Sequence, residues 1–112
     1  MTTITQVQLV APQQLGSSDA SIYTVPTLTT AKIGRAVFTN TSASTVTITS
    51  GITTGGALAA STTLISAYSL APGQAYVSPE LAGAVLPAAS AIRAYSSAAS
   101  SVTVTVSGVI VQ

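Results

Sequence analysis

The sequence predicts an all-β fold: a single antiparallel β-sandwich, jelly-roll or immunoglobulin-like in connectivity, with about eight strands and one short helix. Three observations carry this reading. The run Val102-Thr103-Val104-Thr105-Val106-Ser107 alternates apolar and hydroxyl residues without a break, and Thr45-Val46-Thr47-Ile48-Thr49 does the same. Such alternation puts one face on a core and the other toward water or a partner. The composition of 19 Ala, 18 Thr, 16 Ser and 12 Val favours pleated strands with small side chains. Pro, Gly, Asn and Ser clusters also break the chain into short segments. At 112 residues there is material for one core, so residues 1–112 form one domain.

Ile4 to Val10 reads as the first strand, closed by Ala11-Pro12, so residues 1–15 are either a first strand or an assembly arm. Ser21 to Val25 follows and stops at Pro26. Lys32 to Asn40 is a third strand, with Ile33 and Val37 on one face and Phe38 on the other. The turn Asn40 to Thr45 predicts a hairpin with the fourth strand, Thr45 to Ser50. Gly51 to Ser61 reads as a loop, and Thr63 to Ser69 as a fifth strand. Ala71-Pro72-Gly73-Gln74 is a turn in which Pro presets φ and Gly supplies a positive φ. A sixth strand, Gln74 to Val77, leads to Ser78-Pro79-Glu80. There a hydroxyl cap, a first-turn Pro and an acid predict a short helix over Leu81 to Leu86. Ala91 to Tyr95 and Ser101 to Val111 complete the strands, the last with Gly108 as a bend. Phe38 is the expected centre of an otherwise aliphatic core.

Only five residues carry charge: Asp19, Lys32, Arg35, Glu80 and Arg93. There is no His, Cys or Trp. Disulfides, thiolate chemistry and Cys-based zinc sites are excluded, and the commonest general base is missing. A net charge of +1 leaves no footprint for nucleic acid. No stretch is long and apolar enough for a membrane span, and the start lacks a signal-peptide pattern. A folded chain of this size exposes roughly 5,600 Å². Five charges on that surface leave two readings: a surface wetted by hydroxyls and amides, or one covered by copies or by a larger assembly.

Catalysis finds little support. Asp19 lies in the turn composition Gly16-Ser17-Ser18-Asp19, and Glu80 belongs to the predicted helix start. A Ser–Lys dyad would have only Lys32 to use, and Lys32 reads as a solvated strand residue. Gly55-Gly56 lacks the Lys and strand-to-helix switch of a phosphate loop. The chain reads as non-enzymatic, with no cofactor and no metal. Lys32 and Arg35, three apart in a strand, are expected on opposite faces. Arg35 and Arg93 are candidate partner contacts, against the alternative of simple exposure. Tyr68 and Tyr76 flank the Pro72-Gly73 turn and are candidates to meet at one end of the sandwich.

The order Ser21-Ile22-Tyr23-Thr24-Val25-Pro26, Lys32-Ile33, then Val37-Phe38-Thr39-Asn40-Thr41-Ser42 resembles small virion structural proteins of tailed bacteriophages. Leu70-Ala71-Pro72-Gly73, Leu86-Pro87-Ala88 and the closing Val102 to Val109 fit the same pattern. One departure is Pro87-Ala88-Ala89-Ser90, where relatives often read Pro-Ala-Gly. The resemblance implies a β-sandwich head decoration or cement protein that binds the capsid surface in many copies. The alternatives are a neck, tail or fibre-attachment subunit and, outside that family, a carbohydrate-binding β-sandwich module. Its partners would be the major capsid protein or other virion proteins, with no nucleic acid and no membrane. It would form a trimer or dimer, be made in the host cytoplasm and be located in the virion.

Overall fold

The computed structural model describes residues 3–112. The described chain is all-β, with nine strands in two antiparallel sheets. The strands are β1 (Ile4–Gln14), β2 (Ala20–Thr24), β3 (Thr30–Asn40), β4 (Val46–Thr53), β5 (Thr63–Leu70), β6 (Ala75–Val77), β7 (Val85–Leu86), β8 (Ala91–Ser96) and β9 (Val102–Val111). One sheet runs β1-β9-β3-β6, with β7 also paired to β3, and the other runs β2-β8-β4-β5. Apart from β4 to β5 and β6 to β7, successive strands pass back and forth between the sheets, which is jelly-roll connectivity and sets aside the immunoglobulin-like alternative. The solvent-accessible surface is 5599 Å², that of a compact folded chain of this size.

Alternation builds the core. Val102, Val104 and Val106 of β9 face inward against Ile33, Ala36 and Phe38 of β3. The second sheet contributes Val46, Ile48, Ile65, Leu70, Ile92 and Ala94. Phe38 is completely buried, as its place among small side chains requires.

Three details differ from the pattern read in the sequence. The segment after Ser78 is not a helix. Leu81 N–H donates to Ser78 Oγ at 3.1 Å, so the cap forms, and Ala82 N–H reaches Ser78 O at 3.3 Å. Gly83 then takes φ +81° and donates to Ile33 O, which ends the turn and delivers Val85 and Leu86 to the edge of β3. β3 and β4 are not a hairpin either: they belong to different sheets, and residues 41–45 cross between them. Finally, β3 carries a bulge between Ile33 and Arg35, where Ile33 pairs with Gly108 and Arg35 with Ser107. The extra residue shifts the pleat by one. Ala31 and Ile33 point inward before it, and Ala36, Phe38 and Asn40 after it, so Phe38 shares the face of Ile33 while Val37 faces out. Gly108 is needed there for clearance rather than for a bend: a Cβ would lie 2.0 Å from the Lys32 carbonyl oxygen.

Asn40 fastens the two sheets at one end. Its Nδ2 donates to Ser44 O at 2.8 Å and to Leu70 O at 3.0 Å. Its Oδ1 accepts from Ser42 N–H at 2.9 Å and from Ser42 Oγ at 2.7 Å. The fully buried amide thus uses both donors and both acceptor positions.

Ala89 occupies the left-handed region at φ +70°, at the position where the resemblance leads one to expect glycine. Ala89→Gly should raise stability by about 0.5 kcal/mol, because relief of the left-handed backbone outweighs the added freedom of the unfolded chain. Phe38→Ala should cost about 3–5 kcal/mol. Urea unfolding monitored by far-ultraviolet circular dichroism checks both. A neutral Phe38→Ala would mean that the ring is not the core centre.

Candidate functional site

The five charged residues fall into three places. Asp19, in the β1–β2 connection, accepts from Arg93 Nε of β8 at 2.9 Å through Oδ1. Its Oδ2 accepts from Leu58 N–H at 2.8 Å. One carboxylate thus clips the β4–β5 loop and β8 together. Burial raises the Asp19 pKa, but the Leu58 amide and the Arg93 guanidinium pull it the other way, and the net direction is down. Arg93, a candidate partner contact from sequence, has its guanidinium turned to this internal pair and remains partly exposed.

Tyr68 and Tyr76 meet as the sequence spacing suggests. Their rings stack with centroids 4.2 Å apart and planes 23° from parallel. Tyr68 lies on β5, the edge of one sheet, and Tyr76 on β6, at the edge of the other, so the stack bridges the open side of the sandwich. The Tyr76 hydroxyl donates to Glu80 Oε1, which also accepts from Ser78 Oγ at 3.2 Å. Burial, the bond to Glu80 and the nearby Glu80 charge push the Tyr76 pKa up to about 12. The same Tyr76 bond holds the Glu80 carboxyl below its ordinary value. Asp19 and Glu80 therefore serve separate structural tasks on different partners.

Lys32 and Arg35 form the third place. Both are exposed, and Asp19–Arg93 is the one ion pair among the described residues. The β3 bulge overturns the expectation that they oppose each other. Lys32 pairs with outward-facing Val109 and Arg35 with outward-facing Ser107, so both lie on the outer face of the β1-β9-β3 sheet. Beside them lies a shallow groove of about 500 Å³, lined by Gln6, Gln8, Gly34, Ser107, Gly108 and Val109. Lys32, which reads from sequence as a solvated strand residue, was not singled out because strand alternation without a bulge puts it opposite Arg35; Gly34 beside Arg35 was the available signal.

The pH dependence of stability follows from these sites. Asp19 and Glu80 have lowered pKa values in the fold, so their contributions are complete above the ordinary carboxylate range and vanish as pH falls through the lowered values. Tyr76 is raised, so its contribution is complete below about pH 10 and vanishes as pH rises through about 12. The melting temperature should hold level between about pH 5 and 9 and fall on either side. Asp19→Asn should blunt the acid fall and Tyr76→Phe the alkaline one, as measured by calorimetry from about pH 2 to about pH 12. A sharp change near neutrality would contradict this account.

A scan against protein-family models finds no match, and a search of curated proteins finds none. Among solved structures, a chain in the structure of infectious bursal disease virus Gx strain is similar in fold, with a TM-score of 0.55 and 14% sequence identity. The match covers 99% of this chain and 32% of that one, so the present chain spans about a third of its neighbour's length. The shared feature is the fold of the sandwich.

Proposed function

We propose that this chain is a non-enzymatic structural protein of a virion, most specifically a head decoration or cement protein of a tailed bacteriophage. The observation that carries the reading is a jelly-roll sandwich, similar in fold to a chain of a virus structure, whose one unpaired cation pair lies on an open sheet face. The jelly roll recurs in viral capsid domains. The resemblance of the segments from Ser21 to Ser42, and of Leu70-Ala71-Pro72-Gly73, Leu86-Pro87-Ala88 and Val102 to Val109, to phage virion proteins supports the bacteriophage assignment. The chemistry favours binding over turnover. Each carboxylate is engaged in a structural bond, and no His or Cys is available to activate a nucleophile. Such a protein works by covering surface: many copies, each held weakly, add up to a firm shell. Its partners would be the major capsid protein and further copies of itself, as a trimer or dimer, with no cofactor.

A neck, tail or fibre-attachment position in the same virion is the second reading. Immunogold electron microscopy of source virions, with antibody to this chain, separates them. Label spread evenly over heads is the expected outcome, whereas label at one vertex or along the tail would move the protein to the second reading. Absence of label from intact and disrupted particles would overturn the virion assignment.

A further inference from the structure

The outer face of the β1-β9-β3 sheet combines three properties. It carries Lys32 and Arg35, and both carboxylates of the chain are engaged elsewhere, Asp19 with Arg93 and Glu80 with Tyr76 and Ser78. It is also apolar. Ile4, Val77 and Val85 are exposed there at 70%, 48% and 61%, and the register puts Val85 and Val109 on either side of Lys32. Its third property is relief: a groove lined by Gln6, Gln8, Gly34 and Ser107 runs beside the two cations.

We infer that this face docks onto an acidic, partly apolar protein surface, with Lys32 and Arg35 meeting carboxylates of the partner. Charge selects the occupant. A second copy applied through the same face would set these cations against each other. Two cations are too few for a phosphate backbone, where binding scales with the number of phosphates neutralised. They are also too few for an anionic membrane, which is recognised by clusters of about four to eight basic residues. The exposed valines and Ile4 gain only against an apolar surface. Three strands of about ten residues at about 4.8 Å spacing, with the short β6 and β7 along one edge, give a plan area of roughly 550 Å². That is below the roughly 800 Å² per partner of a standard stable interface, so one copy binds weakly and firm attachment needs many.

The inference deepens the virion reading, which supplies the first probe. Full-length chain and the double variant Lys32→Glu/Arg35→Glu are titrated onto source particles lacking this protein. Matched melting temperatures establish that both are folded. The expected result is at least tenfold weaker binding by the variant, and wild-type binding that declines from 50 to 500 mM NaCl. Equal binding by the two proteins overturns the docking face and leaves the virion reading intact. If the wild type does not bind particles at all, the virion reading fails, and the second measurement decides the face. In that measurement, zero-length carbodiimide coupling in extract of the source cells is followed by peptide mass spectrometry. Lys32 is the one lysine of the chain, so a Lys32–Asp or Lys32–Glu linkage to another protein that is lost in Arg35→Glu, which keeps the lysine, supports the inference. No linkage at Lys32 overturns it, as does tighter binding to a 30-base-pair DNA duplex or to vesicles containing 20% phosphatidylserine.

Discussion

The constraint on which the rest of this structure depends is that core and surface are built from the same few small residues. With 4% charged residues and 4% aromatic residues, chemistry alone does not sort inside from outside. The pleat does the sorting: in β9, Val102, Val104 and Val106 go in and Thr103 and Thr105 go out simply because they alternate. A single extra residue therefore reassigns everything beyond it. The β3 bulge is such a residue, and its effect is large. It brings Phe38 onto the buried face of Ile33 and puts Arg35 on the outer face with Lys32. It is held where it is because Gly108 lets the opposing backbone approach without a side chain between.

This dependence also explains how much was legible in the sequence. The strands of Val102 to Ser107 and Thr45 to Thr49 were plain, since perfect alternation has one physical reading. The Pro72-Gly73 turn was equally plain, and Gly73 does take φ +77°. Connectivity was not, because alternation gives strands and not their neighbours; the expected hairpin at Asn40 proved to be a crossing between sheets. What marks that crossing is Asn40, a buried amide with three bonds inside residues 40–44 and a fourth to Leu70 O of the other sheet. The capping signal at Ser78 was read correctly as a local bond and wrongly as a helix, because Gly83 stops the chain after one turn. Of the residues singled out, Tyr68 and Tyr76 meet at 4.2 Å, while the partner of Arg93 is a residue 74 positions away that no local pattern connects.

The few charges are arranged with economy. One pair crosslinks loops to β8, and one carboxylate steadies a tyrosine stack across the sandwich edge. Both arrangements hold connections in place at the margins of the sheets, where strand pairing ends and backbone order is weakest. The core itself contains no charge, so it carries no desolvation penalty of an ionised group. Interior and margins are thus stabilised by different forces, one apolar and uniform, the other polar and local.

The central place of β9 has a consequence for how the molecule is made. β9 lies between β1 and β3, so Ile4 and Thr30 both pair with Val111. On a ribosome adding about 5–20 residues per second, β1 waits roughly 5–20 s for its neighbour to be synthesised. Through that interval β1 and β3 have no strand to join them, and their edges are open to other chains. Such long-range pairing also makes folding slow. A nascent chain stalled before residue 102 would hold every strand of the β2-β8-β4-β5 sheet but lack the strand that joins β1 to β3, so the inner face of that sheet would have no complete partner to pack against.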